Sequence, residues 1–191
     1  MQSVDWHSES YRIFELLNGL SFYCNEGVPI STDKGFTLWR DVTIKLRDSK
    51  QVCFLIGNGA SASLASHVSA DLAKNAHIHT QVFTDLSLIT AISNDIGYER
   101  VFAEPLSRQG NSGDMLVAVS SSGRSKNILA AVDVARSLKM TVVTLSAMSF
   151  DNPLCRMGDI NVYVAAKTYS NAESCHAAIL HYWIDLVSLS Q

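Results

Sequence analysis

Charge is what this chain has least of. Asp, Glu, Lys and Arg together make up 17% of its 191 residues, against 47% apolar residues, and the net charge is −3. No run of Lys or Arg offers a footprint for nucleic acid. So small a charged fraction also leaves apolar helix surface to be covered, which favours an oligomer. No apolar stretch approaches the ~20 residues of a membrane span. The opening Met1-Gln2-Ser3-Val4-Asp5 has no basic region leading into an apolar run, so no secretory leader is expected and a cytoplasmic location is. There is no CxxC pair. The four cysteines, Cys24, Cys53, Cys155 and Cys175, lie far apart, and Cys53 falls in an expected buried strand, so reduced thiols are expected rather than a disulfide frame. No internal repeat or low-complexity tract is present. The length suits one domain, residues 1–191.

Hydrophobic periodicity divides that domain in two. Residues 1–49 read as N-terminal helices, an amphipathic one from about Ser8 to Tyr23 and another from about Phe36 to Arg47, with a loop over residues 27–33 around Pro29. These helices are expected to serve oligomer packing. From Gln51 strands alternate with helices. Val52-Cys53-Phe54-Leu55-Ile56 is a continuous apolar run, the mark of a strand buried on both faces of a parallel sheet. Further strands are expected at residues 81–83, 116–119, 141–145 and 160–164. Helices are expected between them and from about Ala172 to Leu189. Five such strands predict a doubly wound, three-layer α/β sandwich with a five-stranded parallel sheet over residues 50–191.

Two loops stand at the carboxyl ends of these strands, where such sheets bind ligands. In the second, Leu116-Val117-Ala118-Val119 runs into Ser120-Ser121-Ser122-Gly123-Arg124-Ser125, and a helical pattern follows at once. Strand, hydroxyl-rich loop and helix N-terminus together suit an anion, because first-turn N–H groups lack intrahelical partners and face the positive end of the dipole. One serine would serve as an N-cap; three more exceed what a cap needs. The first loop, Gly57-Asn58-Gly59-Ala60-Ser61, fits the loose dinucleotide pattern GxGxxA with Asp85 downstream. A dinucleotide would leave the serine loop without a role. A sugar phosphate uses both loops, with Asn58 and Ser61 placed to bond hydroxyls.

Ionisable residues cluster nearby. His67 and Asp71 are four apart on an expected helix, so they share one face, as a metal chelate, an acid/base pair or a plain surface ion pair. The last helix carries Glu173, His176 and His181 among apolar residues. His176 reads equally well as a core histidine. Glu173 and His181 are separated by ~12 Å of helix, too far to reach one small ion from the middle of a straight helix, so either one reaches from a frayed N-terminal turn or the two serve sites in different subunits.

The first loop, the serine loop, His67 and Asp71, Asn94-Asp95-Ile96-Gly97 and Glu173…His176…His181 resemble the sugar isomerase (SIS) domain family, and within it the phosphoheptose isomerases. The resemblance implies a flavodoxin-like strand order and a homotetramer with sites between subunits. It implies a ketose–aldose phosphate isomerase turning sedoheptulose 7-phosphate into a heptose 7-phosphate through an enediol. Asp71 and His181 would be catalytic. Asn58, Gly59, Ser61, Asp95, Ser120, Ser121, Ser122, Ser125 and Glu173 would bind substrate. His67, Asp71, Glu173 and His181 would hold a divalent metal, zinc first. Departures are visible: the family carries Glu for Asp71, Gln for Glu173, Gly for Ala60, Asn for Arg124 and Arg for Asn75. Two alternatives follow from the same resemblance, a non-catalytic tetramer that binds the DnaA replication initiator and an isomerase for another sugar phosphate.

Overall fold

A computed structural model describes residues 5–24 and 27–190; of the opening Met1–Asp5 stretch, only Asp5 lies within them. The elements run α1 (Trp6–Asn18), β1 (Ser21–Cys24), β2 (Val28–Ile30), α2 (Thr32–Asp48), β3 (Val52–Gly57), α3 (Ala60–Ala76), β4 (His79–Val82), α4 (Leu86–Asp95), α5 (Ala103–Gln109), β5 (Met115–Ser120), α6 (Lys126–Ser137), β6 (Thr141–Ala147), β7 (Ile160–Val164) and α7 (Tyr169–Ser188). Short 3-10 turns occupy Tyr98–Arg100 and Pro153–Arg156. Among the described residues no helix is long and apolar enough to cross a membrane.

The sheet has the order β2-β1-β7-β6-β5-β3-β4. Its five parallel strands are the five expected, in the flavodoxin-like order, but the sheet has seven. The extra two come from the segment read as helix and loop. β1 pairs antiparallel with β7, and β2 pairs antiparallel with β1. Helix α1 therefore stops at Asn18, and Phe22 is buried in a strand rather than on a helix face. Tertiary pairing overrides the helical spacing of the apolar residues here. Pro29 is tolerated because β2 is an edge strand.

Alternation along each parallel strand feeds two cores. Met115, Val117 and Val119 of β5 face one layer; Leu116 and Ala118 face the other. The first core is closed by α2, α3 and α7, and the second by α4, α5 and α6. All four cysteines are free thiols; Cys53, Cys155 and Cys175 are buried, and Cys24 is half-buried.

The N-terminal segment is thus part of the core and not only a surface for packing. Trp39 of α2 stacks on Trp183 of α7 at 4.3 Å between ring centroids, both fully buried. The Trp183 indole N–H donates to the Thr43 hydroxyl at 3.1 Å. Helix α1, in contrast, buries no residue, and leaves Trp6, Tyr11 and Phe14 exposed. Trp183→Ala removes the stack and the indole bond together and leaves a cavity, so it is expected to destabilise the fold by about 3–5 kcal/mol in a denaturant titration.

Candidate active site

The site lies where the winding of the sheet reverses. β3 and β5 are parallel neighbours, and their last pair is Gly57 with Val119. From β3 the chain crosses to β4 on one side; from β5 it crosses to β6 on the other. The loops after the two strands therefore stand side by side over the open end of the sheet. Gly57 permits the first loop to fold back, since a Cβ there would lie 2.6 Å from the backbone of Ser61. Gly123 does the same for the second. Its φ is +61°, and a Cβ would lie 1.9 Å from the buried Asn152 side chain.

Between the loops is a cavity of about 280 Å³. Asn58, Gly59, Ala60, Ser61, Ser120, Ser121, Ser122, Ser125 and Glu173 all line it. Ser120 and Ser125 approach each other at 3.3 Å between hydroxyls. Ser125 sits at the N-cap of α6 without its side chain capping that helix, so its hydroxyl stays available to a ligand. Among the described residues, no Lys or Arg lines this wall. Arg124, a candidate source of charge for the anion, is turned away and donates to Asp151 at 2.8 Å. The Ser149 hydroxyl and then Arg124 hold the Asp151 carboxyl below its usual value.

A second cavity of about 310 Å³ opens from the same wall. It shares Ala60, Ser61 and Glu173 with the first and continues to His67 and His176. His67 belongs to a tight group. Its Nε2 is 3.2 Å from His181 Nε2 and 3.3 Å from Asp71 Oδ2, and the ligand atoms of all three residues lie within 4.8 Å of one another. Packing of α3 against α7 brings them together within one chain, so this group does not need a neighbouring subunit. His181 Nδ1 lies 2.7 Å from the Ala177 carbonyl. That bond places the proton on Nδ1 and turns the Nε2 lone pair toward the group.

The group could hold a metal ion. Zinc–nitrogen and zinc–oxygen bonds of about 2.0–2.1 Å set tetrahedral edges of roughly 3.3–3.4 Å, close to the two separations that His67 makes; the third pair lies within 4.8 Å. Glu173, expected with these three, stands apart, two turns up α7 on the wall shared by the two cavities. Asp95 is exposed at the end of α4, takes a bond from Asn94 at 2.8 Å and lines neither cavity.

Three residues that the sequence reading passed over also belong here. Tyr169, at the start of α7, lines the serine cavity. Asn127 and Tyr98 bond Asn58. Asn127 carries the one clue, a polar residue buried in the apolar row that begins α6.

The family match spans both loops and the helix that carries His67 and Asp71. The SIS domain family model covers residues 41–147. A phosphoheptose isomerase of Coxiella burnetii is 35% identical over 139 residues, 69% of this chain and 70% of the relative. The chain is an SIS-domain protein of the phosphoheptose isomerase family. A phosphoheptose isomerase of Shewanella baltica is 34% identical over 137 residues, 68% of this chain and 70% of the relative. The solved phosphoheptose isomerase of Neisseria gonorrhoeae shares the fold with a TM-score of 0.82 at 24% identity, over 95% of this chain and 94% of its own. That of Francisella tularensis does so at 0.80 and 23%, over 96% and 95%.

His176 gives a pH test of the site's interior. It is fully buried, its Nε2 is 3.4 Å from the Ser146 carbonyl, and its Nδ1 has no partner among the described residues. Burial pushes its pKa down to about 4, partly offset by the Ser146 carbonyl. The unfolded chain takes up this proton near pH 6.5 and the folded chain near pH 4, so stability falls as pH drops through that window. The loss reaches about 3 kcal/mol at its lower end. Denaturant midpoints from pH 7 to pH 4 are expected to show this slope in the wild type and to lose it in His176→Asn.

Proposed function

We propose that this sugar-phosphate isomerase converts sedoheptulose 7-phosphate to D-glycero-D-manno-heptose 7-phosphate. The observation that supports the reading is that the serine cavity shares a wall, Ala60, Ser61 and Glu173, with a second cavity that reaches His67 of the His67–Asp71–His181 group. One end offers hydroxyls to a phosphate, and the other offers a carboxylate and an imidazole lone pair to a carbon acid. Ser61 and His67 are separated by ~9 Å of α3, and Glu173 and His181 by ~12 Å of α7. That span suits an extended C7 sugar phosphate better than a short one.

The reaction moves one proton between adjacent carbons and one between their oxygens, with no net oxidation. His181 Nε2, its lone pair set by the Nδ1 bond to Ala177, and the Asp71 carboxylate are the groups that exchange these protons. His67 stands between them and orients both. Ser61, Ser120, Ser121, Ser122 and Ser125 hold the phosphate, and Glu173 bonds hydroxyls of the sugar between the two ends. His67, Asp71 and His181 also fit a divalent metal, zinc by donor set and spacing. When bound, such an ion supplies polarisation of the sugar carbonyl.

The family departures bear on this. Asp71 is one methylene shorter than Glu, yet still lies within hydrogen-bonding range of His67. The assembly we propose is a homotetramer in the cytoplasm. In support, the three-residue group is open on one side, with His67 and His181 exposed, and α1 leaves Trp6, Tyr11 and Phe14 uncovered. A neighbouring subunit would cover both.

The deciding experiment is turnover of sedoheptulose 7-phosphate beside hexose and pentose phosphates, with and without Zn²⁺. The heptose is expected to be preferred. Asp71→Asn and His181→Ala are each expected to lower kcat by about 100-fold to 10,000-fold while phosphate binding persists. His67→Ala is expected to weaken zinc binding in a chelator competition. Absence of turnover under both conditions would discard the heptose reading.

A further inference from the structure

The serine cavity is bounded on one side by a chain of hydrogen bonds with a fixed direction. It starts at a backbone group. The Ile128 N–H is shared between the Ser125 carbonyl and Asn127 Oδ1, each at 3.0 Å. A backbone N–H can only donate, so that atom of Asn127 is the oxygen and its other terminal atom the nitrogen. Asn127 Nδ2 then donates to Asn58 Oδ1 at 2.9 Å, and Asn58 Nδ2 donates back to Asn127 Oδ1 at 2.9 Å. The second lone pair of Asn58 Oδ1 receives the Tyr98 hydroxyl at 3.1 Å. Both lone pairs of that oxygen are now used.

What remains on Asn58 is one N–H. Asn58 lines the serine cavity, so toward a ligand there it can only donate. The same bonds tie three segments together: the loop after β3, the first turn of α6 behind the serine loop, and the turn at Tyr98–Arg100. Asn127 is buried, where such bonds are strong and unpaired groups costly. Tyr98 is 55% exposed, so its ring is not needed to fill the core.

We infer that Asn127 and Tyr98 are positioning residues. They hold the Asn58 carboxamide with its nitrogen toward the ligand, so that the cavity selects an oxygen acceptor, on the phosphate or the sugar, at that place. The inference rests on the sugar-phosphate reading of the cavity. Neither residue touches the ligand in this account; both act through Asn58.

The test uses the full chain and two probes, inorganic phosphate and sedoheptulose 7-phosphate, titrated by calorimetry beside kcat, KM and the melting temperature. Tyr98→Phe removes one hydroxyl and no ring. It is expected to raise Kd and KM for the sugar phosphate about three- to tenfold, with kcat within twofold and the melting temperature unchanged. Asn127→Asp keeps the acceptor for Ile128 and Asn58 but sets an oxygen against Asn58 Oδ1; its effect is expected to be tenfold or more. Asn127→Ala, the charge-free counterpart, is expected to act in the same direction. Because Tyr98 and Asn127 act on one oxygen, the double variant is expected to show less than the product of the single effects.

A rise for both probes puts the Asn58 N–H on a phosphate oxygen, and a rise for the sugar phosphate alone puts it on a sugar oxygen; either supports the assignment. Kd values within twofold of wild type for both probes in Tyr98→Phe would overturn it, as would single effects that multiply in the double variant. Should the Asn127 variants fail to fold, Tyr98→Phe decides alone. A wild type that binds phosphate but ignores the heptose ends the heptose reading and leaves the phosphate arm to judge the positioning role. A wild type that binds neither probe ends both.

Discussion

The parallel pairing of β3 with β5 is the interaction on which the rest of the structure depends. It is the seam from which the chain winds outward in both directions, and it sends α3 to one face of the sheet and α6 to the other. Helices that leave a common edge toward opposite faces cannot close over it, so a cleft is left at the carboxyl ends. The loop that holds Ser61 and the loop that holds Ser120 to Ser125 meet there only because Gly57 and Val119 are partners in the ladder.

The His67–Asp71–His181 group depends on a different contact, the packing of α3 against α7. Val68 and Leu72 of α3 are buried in the same core as Ile179, Leu180 and Trp183 of α7. Those apolar positions turn His67 and Asp71 of one helix toward His181 of the other. The three-residue group is therefore a by-product of a hydrophobic interface, held at its rim by side chains that each have one fully buried neighbour along the helix, Val68, Leu72 and Leu180. The stacked Trp39 and Trp183 press α7 from the opposite side, so the segment before residue 50 supports the site without reaching it.

Much of this was legible in the order of residues, and what was not has physical reasons. The parallel strands announce themselves because burial on both faces demands unbroken apolar runs. β1 and β2 were hidden, since four residues and three residues are too short for a period of two to show, and Phe22 continues a helical spacing from α1. His67 and Asp71 could be paired from their separation of four. Their meeting with His181, 114 positions away from His67, is set by helix packing that no local pattern encodes. The ~12 Å of α7 between Glu173 and His181 leaves Glu173 on the wall that the two cavities share and His181 beside His67 and Asp71. Asn127 escaped notice because an Asn in the first turn of a helix reads as local capping. Only the fold shows that its partner is Asn58, 69 positions earlier.

Helices α3 and α7 each carry a residue of the wall shared by the two cavities and a residue of the three-residue group: Ser61 with His67 on one, Glu173 with His181 on the other. The distance from shared wall to group is thus ruled off along two rigid rods and not across a hinge. A loop could adapt this length to whichever ligand arrives; a helix cannot, short of unwinding. Under the sugar-phosphate proposal, selection by molecular length is settled when the core folds, before any ligand is present. A chain that drifted toward a shorter or longer sugar would have to change its helix register, and with it the packing that keeps it folded.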